Sequence, residues 1–111
     1  MKTALLFGFL TTTLFSSLVF AELTGKELYE KSCKACHGID GKGNTKLAQG
    51  MKIKPELLDL TKQETKNKKD EVLETTIIDG IGKMKGFKDK LKDNEISLIV
   101  AHVRTLQKGS K

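Results

Sequence analysis

Cys33-Lys34-Ala35-Cys36-His37 is the segment that most restricts what this 111-residue chain can fold into. It holds both cysteines of the chain and one of its two histidines, so a single local structure must present two thiols and an imidazole together. Only two residues separate the cysteines. A disulfide between them encloses too short a loop to restrain the unfolded chain usefully, because that stabilisation grows with the number of residues enclosed. Something other than a disulfide is expected to occupy the pair.

The setting makes that choice sharper. Lys2 is followed by an uncharged run from Thr3 to Phe20 that closes on Val19-Phe20-Ala21, the pattern of a secretory signal peptide cleaved after Ala21. The rival reading is an uncleaved anchor, since 18 residues come close to the length of a bilayer span. Thr3, Thr11, Thr12, Thr13, Ser16 and Ser17 weaken it. Residues 1–21 are therefore read as signal and 22–111 as one domain, periplasmic or otherwise exported and peripheral to a membrane at most. Cleavage removes only Lys2 from the charge balance and leaves 19 basic against 14 acidic residues, a net charge of +5. A domain this small is marginal on core burial alone and calls for a staple.

Local patterns beyond the leader are helical. Thr24-Gly25-Lys26-Glu27 forms a capping box that opens a first helix running into the Cys33 region. Pro55 or Glu56 starts a short helical turn. Asp70 is expected to cap a second helix, with Val72, Leu73, Thr76 and Ile77 on one face, ending at Gly80. Ile96, Ile99, Val100, Val103 and Leu106 mark one stripe of a C-terminal amphipathic helix, led by acidic residues Asp93 and Glu95 and ending near Gln107. Residues 38–50, 61–69 and 81–92 read as loops. No strand pattern, repeat or second domain is legible.

C-x-x-C-H supplies two thiols able to reach two vinyl groups on one face of a porphyrin, and an imidazole next in sequence to ligate the iron: it is a haem c attachment motif. A zinc site needs four protein ligands in paired spacings, and only the distant His102 remains to join Cys33, Cys36 and His37. A dithiol redox site usually accompanies a βαβ pattern that this chain lacks.

With these features the chain resembles the class I monohaem cytochromes c of bacteria. The resemblance covers nearly all of residues 24–107, through Cys33 to Gly38, Gly41-Lys42-Gly43, the Pro55 segment, Gly80 with Met84 and Phe87, and the Glu95–Leu106 helix. It implies an all-α fold of three main helices plus a short turn around one covalent haem c. Cys33 and Cys36 would form the thioethers, and His37 would be the proximal ligand.

Candidates for the sixth ligand are Met84, Met51 and His102. Met84 follows a helix that ends at Gly80, on a loop judged flexible enough to reach the far side of a porphyrin, and it fits the family's Gly-x-x-x-Met pattern. Met51 lies 14 residues after His37 in a stretch that could also close over a haem. His102 flanks the apolar stripe and reads better as helix packing, where the family often has an aromatic. The family's usual Met-Pro pair is Met84-Lys85 here, which predicts a less stiff ligand loop and a bond lost more readily on heating or at high pH, with Lys83 or Lys85 as replacements. Pro55 resembles the family proline whose carbonyl accepts a hydrogen bond from the proximal imidazole. Leu57, Leu58, Ile77, Phe87, Val100 and Val103 are candidates for the haem pocket.

An iron with both axial positions filled is suited to one-electron exchange, so the resemblance implies a monomeric carrier and not an enzyme. Lys34, Lys42, Lys83, Lys85 and Lys88 are expected near its docking edge, steering it to redox partners with acidic faces. Nucleic acid is not an expected partner, since basic patches interleaved with aromatics are absent. The alternatives are a haem protein with an open or labile sixth site, acting as gas sensor or peroxidase-like enzyme, and a detached cytochrome subunit of a larger oxidoreductase.

Overall fold

Thr24 and Glu27 cap the first helix reciprocally: the Thr24 hydroxyl accepts from the Glu27 amide at 3.2 Å, and the Glu27 carboxylate accepts from the Thr24 amide at 2.7 Å. That start fixes α1 (Gly25–Ser32), whose inner face buries Leu28 and Tyr29. The computed structural model describes residues 3–17 and 21–109. Residues 3–17 carry no regular secondary structure, and their apolar side chains are exposed. Lys2 and the Val19-Phe20 part of the expected cleavage pattern lie outside the described residues. No described helix is long and apolar enough to cross a membrane.

Along the domain the order is α1, α2 (Lys34–His37), α3 (Thr45–Met51), a 3-10 turn (Pro55–Leu58), α4 (Gln63–Lys66), α5 (Asp70–Asp79), a hairpin of β1 (Gly80–Ile81) and β2 (Met84–Lys85), and α6 (Asp93–Gly109). The core is the meeting of α1, α5 and α6. Ile96, Ile99, Val100 and Val103 of the predicted stripe are buried against Leu28, Tyr29 and Ile77. Burying one such aliphatic side chain stabilises by about 1.5–3 kcal/mol, so this junction is the main source of folding energy. Gly25 sits where α1 crosses α6. A Cβ there would run into the Leu98 carbonyl, so the crossing depends on glycine.

Three segments read as loops contain regular structure. Asn44 caps α3 through its side chain, which accepts from the Leu47 amide at 3.1 Å; the helix is too short, and too interrupted by Gly50, to show a period. One-turn α4 interrupts the lysine-rich 61–69 stretch. The Gly80–Lys85 segment pairs on itself with Gly80 opposite Lys85 and Ile81 opposite Met84. Two-residue strands show no alternation in sequence. Gly80 makes the hairpin feasible: its φ is +76°, and a Cβ would lie 2.5 Å from the Met84 carbonyl oxygen.

Asp70 is the first residue of α5 and does not cap it, because Lys69 takes the cap position. Its carboxylate accepts from Arg104 Nε at 2.9 Å. Arg104 also donates to the carbonyls of Lys66 and Lys68 and to Gln107 Oε1, while the Gln107 amide donates to the Leu60 carbonyl at 2.8 Å. Residues 60–70 are thereby pinned to α6, and buried Gln107 leaves no polar atom unpaired.

Candidate haem site

The α1 helix breaks at Cys33 (φ −122°, ψ −32°), and the chain resumes as the single turn α2. Its amides bond back within the segment, Cys36 to the Cys33 carbonyl at 3.2 Å and His37 to the same carbonyl at 3.0 Å. Residues three and four apart share a helix face, so Cys33, Cys36 and His37 project from one side.

A helix end leaves carbonyls without intrahelical partners; here the returning loop supplies them. The Asn44 amide donates to Cys36 O at 2.9 Å, and its side chain donates to Ala35 O at 3.1 Å. The Gly43 amide donates to His37 O at 2.7 Å, and the Tyr29 hydroxyl donates to Gly38 O at 2.6 Å. Every carbonyl from Ala35 to Gly38 is held, which makes the thiol-bearing turn rigid before any ligand is considered.

His37 Nδ1 lies 2.8 Å from the carbonyl oxygen of Leu58. A carbonyl only accepts, so Nδ1 carries the proton and Nε2 keeps its lone pair for a metal. Burial holds the imidazole below its ordinary pKa, against the opposing pull of the Leu58 bond, so the neutral, ligating form prevails at neutral pH. The expected acceptor was Pro55. Instead Pro55 is exposed and opens the 3-10 turn, at whose last residue the chain direction aims the Leu58 carbonyl at the ring.

His37, Cys33 and Met84 line one cleft with Tyr29, Leu60, Thr65, Leu73, Thr76, Ile77, Ile99, Val100 and Val103. Its walls are nearly all apolar. Among the pocket candidates, Ile77, Val100 and Val103 line it, Leu58 is buried and Phe87 packs on the core. Leu57 is 69% exposed and belongs to the surface, because the 3-10 turn directs its neighbour Leu58 inward instead.

Met84 reaches the cleft from the hairpin, held by strand pairing and by the Phe87 amide bonded to Ile77 O at 2.9 Å. The loop expected to be flexible is therefore braced by backbone bonds, without a proline after the methionine. Met51 and His102 do not line the cleft. The His102 ring packs on Tyr29 with centroids 5.1 Å apart and planes at 54°. Lys83, expected to compete for the sixth position, donates to the Met51 carbonyl at 2.6 Å.

The rival chemistries find little support. Among the described residues no three His, Cys, Asp or Glu side chains cluster as a metal site would require. A reactive dithiol needs a lowered thiol pKa, whereas burial, with the Cys36 thiol adding, pushes Cys33 up to about 11. An apolar cleft with a thiol and a metal-ready imidazole on one wall and a thioether brought in on a hairpin supplies the donor set for a porphyrin attached through Cys33 and Cys36.

This fold and cleft define a c-type cytochrome, an electron-carrier domain of the class I type. The family described as "Cytochrome C oxidase, cbb3-type, subunit III" matches residues 21–103, and the chain belongs to it. Among solved structures it is similar to "KustC0563 c-type cytochrome", with 30% identity, a TM-score of 0.64, and coverage of 77% of this chain and 99% of that one. No curated protein matches. Family membership implies a covalent haem c, and Cys33 and Cys36 have the spacing to attach it.

The expected motif did not reveal Leu58 or Asn44. Asn44 ahead of Thr45-Lys46-Leu47 carries a legible cap signal, but a backbone acceptor such as Leu58 O leaves no trace in residue type.

Proposed function

We propose that this protein is an exported one-electron carrier in which His37 Nε2 and the Met84 sulfur are the axial ligands of a haem c held by Cys33 and Cys36. The observation that carries this reading is the arrangement of His37 and Met84 on one apolar cleft, with Nδ1 committed to Leu58. When bound, a haem c with both axial positions filled supplies one-electron exchange at iron, and a His/Met pair raises its potential relative to harder ligand sets. The residues orient the imidazole and present the thioether.

Export rests on the uncharged leader, with cleavage after Ala21. Lys34, Lys42, Lys85 and Lys88 are exposed on the domain and would steer it, as a monomer, toward acidic faces of redox partners. The family description, which names an oxidase subunit, favours a second reading in which the domain works as the cytochrome subunit of a larger oxidoreductase. Absorption spectra of the purified holoprotein, oxidised and reduced, with and without carbon monoxide, test the ligation. A methionine-to-iron band in the oxidised form and no response to carbon monoxide are expected; ready carbon monoxide binding would point to an open sixth site. Size exclusion of native extract separates a free carrier from a subunit.

A further inference from the structure

Lys83 is at the tip of the hairpin that presents Met84, yet its ammonium is not free. It donates to the carbonyl of Met51, 32 residues earlier in the chain, at 2.6 Å. Met51 is the last residue of α3, where carbonyls lack intrahelical partners and the helix end carries partial negative charge. A cation suits that position better than a neutral donor. No carboxylate competes for it: among the described residues the one ion pair is Arg104 with Asp70.

This contact closes a circuit. At its other end α3 is capped by Asn44, which also bonds to the carbonyls of Ala35 and Cys36 in the thiol-bearing turn. A continuous path of hydrogen bonds thus runs from the His37 segment through α3 to Lys83 and the hairpin. It does not use the α1–α5–α6 core. Besides Lys83, the hairpin is held through its Gly80 and Phe87 ends and by the packing of Met84 against the core; Lys83 is what ties its tip to α3.

We propose that Lys83 is a positioning residue whose ammonium latches the hairpin to the end of α3 and so holds Met84 against the cleft. Its consequence for the iron rests on the His37/Met84 reading, whereas the latch itself does not.

Hydrogen exchange and carbon monoxide binding on the full holoprotein test it, with Lys83→Ala to remove the donor and Lys83→Arg to restore one. In Lys83→Ala the hairpin amides are expected to exchange about fivefold faster, the scale of one partly exposed charged contact, while α1 and α6 amides keep their rates. Carbon monoxide should bind the reduced protein faster by a similar factor, and Lys83→Arg should return both values toward the parent. Unchanged hairpin exchange in Lys83→Ala overturns the latch, as does an increase spread equally over α1 and α6. If Met84→Ala leaves the visible spectrum unaltered, the ligation reading falls, and hairpin exchange still decides the latch.

Discussion

His37 Nδ1 and the Leu58 carbonyl, 21 residues apart in sequence, meet at 2.8 Å. The contact ties the thiol-bearing turn to the 3-10 turn and leaves Nε2 as the imidazole nitrogen with a free lone pair. Gly43 supports Leu58 from behind: its φ is +97°, and a Cβ would come within 3.1 Å of the Leu58 Cβ. Gly43→Ala is expected to cost about 2 kcal/mol of stability, through backbone strain and displacement of Leu58. Denaturant unfolding measures the loss, and an altered proximal-histidine signature in resonance Raman spectra would report the shifted ring. A variant as stable as the parent would show that Leu58 has room to move.

Met84, Met51 and His102 make separable predictions. Met84→Ala should abolish the methionine-to-iron band and raise carbon monoxide affinity by at least about tenfold, because the closed form no longer competes. Met51→Ala and His102→Phe should leave the band in place. Loss of the band in Met51→Ala alone would transfer the sixth position to Met51.

The α1–α6 crossing is a packing prediction. Gly25→Ala places a methyl group against the Leu98 carbonyl, and neither helix backbone can yield without disturbing Leu28, Tyr29 and Ile99. A destabilisation of about 3 kcal/mol is expected, read as a lower urea midpoint. Gly50→Ala, where a Cβ meets nothing within 4 Å, is the control and should be nearly neutral.

His102 gives stability a pH dependence of defined sign. Burial lowers its pKa from 6.5, outweighing the carboxylate of Glu30, which raises it, while Lys26 adds to the lowering. The unfolded chain therefore binds the proton more readily. Stability from this group is complete above about pH 6.5 and is lost as pH falls through the lower folded value. The stability difference between the parent and His102→Phe should change between pH 7.5 and pH 5, with the parent losing relative to the variant. A constant difference would mean that the imidazole on Tyr29 is solvated as fully as in the unfolded chain.

Much of the fold was legible because its evidence is local or periodic. The Thr24–Glu27 box needs four consecutive residues, and the α6 stripe needs only 3.6-residue spacing. Short elements escaped for the same reason: α3, α4 and the Gly80–Lys85 pairing span too few residues for a period to repeat. Pro55 and Leu57 illustrate a different failure. Pro55 was expected from the family resemblance and Leu57 from its apolar type, whereas the direction of the 3-10 turn decides that Leu58 faces inward and offers its carbonyl to His37.

Sequence by itself therefore determined the chemistry available: two thiols and an imidazole on one helical turn, helices to surround them, and a methionine at a distance from His37 that a loop could span. Tertiary structure alone decided how those groups are used. The Leu58 carbonyl selects the imidazole nitrogen, hairpin pairing carries Met84 rather than Met51 or His102 to the cleft, and Lys83 spends its charge on the end of α3. The division has a physical cause: side-chain chemistry and helical period are properties of neighbours in the chain, while backbone acceptors and the choice among candidate ligands depend on which distant segments pack together.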